Sequence, residues 1–319
     1  MLQNCVEKKV PLKLTAVPNV LHTNMSLAPF TSFRVGGSAE WYAAPRSVED
    51  LIACFEWANL EKLPITMLGA GSNLLISDRG LSGLILSTRH LQGAHYNANT
   101  GQVTALAGEP LPRLAWEAAR RGLRGLEWAA GIPGTVGGAV VMNAGAQGSC
   151  TADFLRQVQV LSPQGCHWLN GADLHYSYRS SLLQKKHALA VQATFQLTPG
   201  GDPKEVLALT RQNLSYRKST QPYHLPSCGS VFRNPNPYKA GWLIEQSGLK
   251  GYQIGNAQVS QRHANFIVNL GGATATDIFY LIHYVQDCIR SKWGIDLEPE
   301  VKMLGEFPST VYLAERAAS

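Results

Sequence analysis

Apolar residues fall at helical spacing in five stretches of this chain, and alternate cleanly with other residues in only one. Ser47 to Leu60 reads as a helix: Ser47 caps it, Asp50 stands at the capping-box position, and Leu51, Ile52, Phe55 and Ala58 form one stripe. Pro64 closes that helix, and Ile65 to Leu68 runs as a short apolar strand into Gly69. Leu84 to Leu86 reads as another strand, followed by polar turns around Asn97 to Gly101. Leu111 to Arg121 forms a second helix, ended by Gly122.

In the second half, Leu189, Val191, Ala193, Phe195 and Leu197 alternate, which predicts a half-buried strand. Pro199-Gly200-Gly201 then breaks the chain. Helices are expected over Pro203 to Tyr216, Lys239 to Ser247 and Asp277 to Trp293, the last ending at Gly294, with a final strand over Ile295 to Leu304. The pattern is α+β throughout. It divides into an N-terminal arm (1–18), a two-lobed unit (19–200, split near 88–101) and a last domain (201–319).

Composition narrows the picture. The chain has 319 residues, enough for two or three domains, with 45% apolar and 16% charged residues, which fits real cores and excludes a disordered chain. The net charge of +6 is spread thinly, with only short basic pairs such as Arg120-Arg121 and Arg217-Lys218, so nucleic acid is not expected as a partner. A mild positive excess suits small anionic ligands. Six scattered cysteines without a Cys-x-x-Cys pair argue against a zinc site or disulfide framework and favour a reducing compartment. No metal is expected. Met1 to Val20 lacks a continuous apolar core, so no secretory signal or membrane anchor is expected, and the expected setting is the cytoplasm.

Three segments carry candidate chemistry. Leu68-Gly69-Ala70-Gly71-Ser72-Asn73 follows an apolar strand, and Gly131-Ile132-Pro133-Gly134-Thr135-Val136-Gly137-Gly138 leads to Asn143-Ala144-Gly145. Small residues let backbone N–H groups approach phosphate oxygens, while Ser72, Asn73 and Thr135 add side-chain hydrogen bonds. Neither segment fits the Rossmann or Walker fingerprint, since Leu74 stands where a third glycine is needed and the Walker lysine is absent. Together they favour a dinucleotide over two unrelated tight turns. The third segment, Pro226 to Pro235, places Gly229 directly before Ser230 between two prolines. It reads either as a rigid mount for one hydroxyl or as a polar turn.

With these segments in view, the chain resembles the UDP-N-acetylenolpyruvoylglucosamine reductase family over roughly Asn19 to Glu306. The resemblance rests on ordered motifs: Thr31 to Gly37, Gly69 to Leu75, Gly131 to Ala146, Tyr178 to Ser181, Pro226 to Pro235, Gln258 to Ser260 with His263 to Phe266, and Leu297 to Val301. It implies a two-lobed FAD-binding domain of the vanillyl-alcohol-oxidase-like (PCMH) type, followed by an α+β substrate-binding domain. It also implies non-covalent FAD, NADPH as co-substrate and a monomer. The 51-residue gap from Arg179 to Ser230 matches the shorter class, which lacks a substrate-covering tyrosine loop.

The resemblance further implies that FAD is held by Arg34, Leu68, Gly69, Ala70, Gly71, Ser72, Asn73, Ile132, Gly134, Thr135, Gly137, Gly138, Ala144, Gly145 and Arg217. Tyr178, Arg233, Asn234 and His263 match substrate contacts, although His263 reads equally as a packed core histidine. Reduced flavin would pass hydride to an enolpyruvyl ether. Arg179 would hold its carboxylate, Glu300 would act as a neutral hydrogen-bond donor to the charged intermediate, and Ser230 would protonate carbon. Cys228-Gly229-Ser230-Val231-Phe232 is no nucleophile elbow, so Ser230 reads as an acid. Two rivals remain: a flavin oxidase of the same cofactor fold, and a nucleotide-sugar binding protein without catalysis.

Overall fold

A computed structural model describes residues 21–185 and 188–309; the expected N-terminal arm, 1–18, lies outside the described residues. The first lobe contains β1 (Leu21–Ser26), β2 (Ser38–Ala43), α1 (Val48–Leu60), β3 (Ile65–Leu68), β4 (Leu74–Ile76) and β5 (Leu81–Ser87). Its sheet has the order β1-β2-β5-β3, with β5 parallel to both of its neighbours. Ser47 Oγ accepts the Asp50 N–H at 3.0 Å, as expected. The return half of the capping box is absent, because the Asp50 carboxylate turns to the Arg46 N–H.

The second lobe contains β6 (Ala94–Asn97), β7 (Gln102–Leu106), α2 (Leu111–Arg120), α3 (Val136–Met142), β8 (Gly145–Ala146), β9 (Ser149–Cys150), β10 (Leu155–Ser162), β11 (Gly165–Asn170) and β12 (Leu189–Gln196). Its antiparallel sheet runs β11-β10-β12-β7-β6. Here the expected half-buried strand differs. Leu189 and Val191 pack with Trp41, Leu51, Phe55 and Leu86 of the first lobe. Ala190, Ala193 and Phe195 pack with α2 and α3. Both faces of β12 are therefore covered, and this strand joins the cores of the two lobes.

The remainder comprises α4 (Pro203–Thr220), α5 (Ala240–Gln246), β13 (Gln253–Ile254), β14 (Ala257–Val259), β15 (Ile267–Asn269), α6 (Ala275–Trp293) and β16 (Lys302–Leu304). Although α4 follows the Pro199–Gly201 break, it packs against α2 and the Glu127–Gly131 turn of the second lobe. Helix α6 buries Ile278, Leu281, Ile282, Val285 and Ile289. Its start carries a complete capping box between Thr274 and Asp277, and its end turns through Gly294 at φ +65°. Asp78, from the first lobe, also accepts the Ala275 and Thr276 N–H groups, both at 2.8 Å.

The final strand is shorter than its apolar pattern predicts. Only Lys302–Leu304 pairs as a strand, parallel to β4. The chain before it bonds instead to the segment carrying Ser230: Arg233 N–H to the Glu298 carbonyl at 2.9 Å, and Glu300 N–H to the Val231 carbonyl at 2.7 Å. Pro299 has no N–H to continue a ladder. Phe33, Val35 and Leu75 of the first lobe complete the core around α5 and α6.

Candidate active site

The Gly69–Asn73 loop joins β3 to β4, and its shape is set from behind. Gly71 has φ +63°, and a Cβ there would lie 2.0 Å from the Phe30 carbonyl oxygen. Its own carbonyl accepts the Ser32 N–H at 3.1 Å. The Thr31–Gly37 motif thus braces the loop. Among the described residues, none of the backbone N–H groups from Gly69 to Asn73 has an acceptor within the chain. Successive unpaired N–H groups at a glycine turn form an anion cradle.

The second glycine segment lies opposite. A Cβ on Gly69 would sit 2.6 Å from Thr135 Oγ1, so the segments touch there. Thr135 caps α3, a helix that glycine propensity argues against and that burial of Val136, Ala139 and Val140 supports. The first N–H groups of α3 are already paired: Val136 to the Glu109 carbonyl, Gly137 to the Ala107 carbonyl, and Gly138 to Thr135 Oγ1. The free donors therefore sit in the first loop. The second segment contributes shape, because a Cβ on Gly134 or Gly138 would meet only one neighbouring atom, at 3.6 and 3.5 Å respectively.

Between the segments lies a cavity of about 610 Å³. Gly69, Ala70, Gly71, Ser72, Asn73, Ile132, Gly134, Thr135, Gly137, Gly138, Ala144, Gly145 and Arg217 line it. Arg217 is held by its Nε, which donates to the Gly131 carbonyl at 3.0 Å, and its terminal nitrogens have no partner among the described residues. A row of free N–H groups, two glycine-rich walls and an arginine suit a pyrophosphate-containing cofactor.

Arg179, Ser230 and Glu300 line the same cavity. Arg179 stands at the tip of a tight turn closed by reciprocal Ser177–Ser180 backbone bonds. Its φ of +56° is a left-handed conformation, costing roughly 1–3 kcal/mol for such a residue. The turn is tied to the end of α3: Asn143 Nδ2 donates to the Ser177 carbonyl, and Ser181 Oγ to the Val141 carbonyl. Arg179 Nε meets Glu300 Oε1 at 2.6 Å, while Nη2 donates to the Gly145 carbonyl at 3.0 Å. Glu300 is thus engaged with a cation.

Ser230 is mounted between two partners. Asn265 brackets the chain after it: its backbone carbonyl accepts the Val231 N–H, and its side chain exchanges two bonds with the Phe232 backbone. The Glu298–Glu300 segment holds the other edge. Gly229 adopts φ +80° with open space around it, so the position needs glycine for its conformation rather than for close packing. The Ser230 hydroxyl has no hydrogen-bond partner among the described residues. Cys228 also lines the cavity; complete burial pushes its thiol well up, and the charge of Glu300 adds to this. A thiol so disfavoured as thiolate is a packing group, not a nucleophile.

Other expected site residues lie off the cavity lining. Leu68 is the buried last residue of β3. Arg34 is exposed at φ +58° in the bracing motif. Tyr178 is exposed, with the Arg179 guanidinium over its ring. Arg233 pairs with Glu298 at 3.1 Å. Asn234 Oδ1 accepts the Ala240 N–H at the start of α5. His263 Nδ1 accepts the Asn265 N–H at 3.2 Å, and its ring lies edge-on to Phe266. Conversely, the cavity includes Lys302, Gln184 and Gln221, which the sequence reading did not select. Lys302 was legible, since on extended chain it shares a face with Glu300.

This two-lobed cradle with an arginine and a glutamate at one end defines a flavin-binding oxidoreductase, and residues 39–169 match the family model of an FAD binding domain. Residues 221–304 match the model of the UDP-N-acetylenolpyruvoylglucosamine reductase C-terminal domain. The UDP-N-acetylenolpyruvoylglucosamine reductase of a Nostoc species is 62% identical over 88% of this chain and 85% of its own length. That of Synechococcus elongatus is 59% identical over 91% and 97%. The crystal structure of the enzyme from Thermus caldophilus superposes with a TM-score of 0.74 at 34% identity, covering 89% of this chain and 98% of that one. The chain belongs to the UDP-N-acetylenolpyruvoylglucosamine reductase family and is an FAD-dependent oxidoreductase. Among the described residues, no helix is long and apolar enough to cross a membrane, and no cluster of His, Cys, Asp and Glu is arranged to hold a metal.

Proposed function

We propose that this enzyme reduces UDP-N-acetylglucosamine enolpyruvate to UDP-N-acetylmuramate with NADPH, supplying a peptidoglycan precursor as a cytoplasmic monomer. Residues 19–200 would form the cofactor unit and 201–319 the substrate unit. The observation that carries this reading is that Ser230 lines the same cavity as the paired Arg179 and Glu300 and the glycine cradle.

When bound, FAD supplies hydride, taken from NADPH, to the terminal carbon of the enolpyruvyl double bond. The Gly69–Asn73 N–H groups and Arg217 would hold this cofactor through its anionic part. Arg179 holds the substrate carboxylate, because a guanidinium fork fits a carboxylate and keeps its charge. As hydride arrives at one carbon, negative charge develops on the adjacent carbon and spreads into that carboxylate. Arg179 and Glu300 stabilise this charge, Glu300 as a hydrogen-bond donor in its protonated form, with a proton taken from solvent as the substrate carboxylate replaces it on Arg179. Ser230 Oγ–H then gives its proton to the adjacent carbon. Hydride and proton together saturate the double bond, and the serine alkoxide recovers its proton from solvent. Tyr178, Arg233, Asn234 and His263 serve the substrate side.

The test is an anaerobic absorbance experiment on the purified holoenzyme. Flavin bands should bleach with NADPH and return when UDP-N-acetylglucosamine enolpyruvate is added. Bands that return only with oxygen would overturn the reading in favour of an oxidase.

A further inference from the structure

The cofactor loop and the catalytic carboxylate are joined by one side chain, Asn73. Its Nδ2 donates to the Glu300 backbone carbonyl at 3.0 Å, not into the cavity. Its own carbonyl accepts the Lys302 N–H at 3.0 Å, so Asn73 grips the chain on both sides of Val301. Directly beyond it, Leu74 pairs with Lys302 as β4 meets β16. From Glu300 the connection continues in two directions: its N–H reaches the carbonyl of Val231, next to Ser230, and its carboxylate reaches Arg179. At the other end, the Asn73 N–H belongs to the unpaired row that faces the cavity.

We propose that Asn73 is a positioning residue that couples occupancy of the cofactor cradle to the placement of Glu300 and the Ser230 segment. The inference rests on the functional reading above. The Thr31–Gly37 motif braces this loop at Gly71, whereas the Ser72 and Asn73 N–H groups beyond it have no acceptor among the described residues, so an anion that bonds them removes freedom at that end. Fixing the loop fixes Asn73, and the two-sided grip transmits that order to Glu300 and Lys302. Cofactor binding and completion of the substrate site thereby become one event, through local ordering rather than a large movement.

The test compares the apoprotein and FAD-loaded protein by amide hydrogen exchange, for wild type and Asn73→Ala. In wild type, FAD should slow exchange by tenfold or more in both the Gly69–Asn73 and Glu300–Lys302 segments. In Asn73→Ala, FAD still binds through main-chain donors and protects the first segment, and the Lys302 N–H keeps its bond to the main-chain carbonyl at position 73, while protection at Glu300 and Val301 falls away. Equal protection of Glu300 and Val301 in the variant would overturn the proposal. So would failure of Asn73→Ala to bind FAD, which would make the side chain a support for the cradle alone. Asn73→Asp gives an independent readout. Its carboxylate cannot donate to the Glu300 carbonyl, whereas its acid form can, so the protection of Glu300 and Val301 should return as pH falls. Protection that does not change with pH would also overturn the proposal. Because exchange needs no turnover, this result is separate from any failure of the proposed reaction.

Discussion

Arg179 and Glu300 are 121 positions apart in the chain, yet their side chains meet at 2.6 Å. Each arrives on its own scaffold: the arginine on a strained turn anchored to α3, the glutamate on chain laid between the Ser230 segment and the cofactor loop. Arg179 and Glu300 are about 21% and 13% exposed, so the contact is shielded from bulk water yet open to the cavity. In the proposed reaction, a substrate carboxylate that takes over part of the guanidinium would also free Glu300, and the pair would serve as a preformed holder for the charge that develops.

Replacing Glu300 tests which property matters. Glu300→Gln keeps a hydrogen-bond donor and should lower the rate of flavin reoxidation by substrate about tenfold. Glu300→Ala removes it and should cost about 10²–10³-fold, the usual effect of losing one donor to a developing oxyanion. Stopped-flow reoxidation of the reduced enzyme measures both. A larger loss in the glutamine variant would mean that the carboxylate charge is what the site uses.

In the proposed reaction Ser230 acts only after hydride transfer has begun. Ser230→Ala should therefore slow reoxidation by substrate about 10²–10⁴-fold, the usual range for a positioned general acid. Flavin reduction by NADPH should change far less. Equal slowing of the two half-reactions, measured separately under anaerobic conditions, would assign the hydroxyl to cofactor placement instead.

The helices were legible in the sequence because stripe and stop signals agree. The Thr274 cap and Gly294 bracket α6, and Ser47 and Pro64 bracket α1. Most antiparallel strands of the second lobe were not legible. In β7 only Val103 and Ala105 mark the buried face, too few for a period, and β11 is mostly exposed. Helix α3 was hidden by its glycines, which mark close approach to Ala107 and to the cavity rather than an absence of structure. The Arg179, Ser230 and Glu300 set came from ordered motifs shared with a family. No local spacing connects residues brought together by strand pairing between chain ends, and nothing in Gly-Ser-Asn predicts that the asparagine would turn away from the cavity to Glu300.

Two cavity glycines should fail in different ways. Gly71→Val places a side chain where a Cβ already overlaps the Phe30 carbonyl at 2.0 Å, and does so at φ +63°. The backbone strain alone costs about 1–3 kcal/mol, so the apoprotein should lose Tm. In Gly134→Val the new side chain meets little but Ser72 Oγ, 3.6 Å from the Cβ, and otherwise fills the cradle. The apoprotein Tm should hold, while FAD affinity falls tenfold or more. The ratio of flavin to protein absorbance, with melting curves of both apoproteins, separates the cases. Loss of Tm in Gly134→Val would show that this wall is packed, not open.

His263 links pH to the mounting of Ser230. Its Nδ1 accepts the N–H of Asn265, the residue that brackets the Ser230 segment, so the ring must be unprotonated at that atom. Burial lowers its pKa below the ordinary 6.5, the positive charge of Lys250 lowers it further, and a backbone hydrogen bond and Glu245 oppose the shift. Below pH 6.5 the unfolded chain therefore binds the proton before the folded one does. With more protons on the unfolded state, unfolding free energy falls as pH falls through this window, and the contribution is fully present above 6.5. His283 is depressed in the same direction by burial and supplies a similar background. The informative quantity is thus the difference between wild type and His263→Gln, whose amide oxygen can still accept the Asn265 N–H. Urea unfolding on either side of the window should show a shallower pH dependence in the variant, and identical slopes would remove His263 as a source of acid sensitivity.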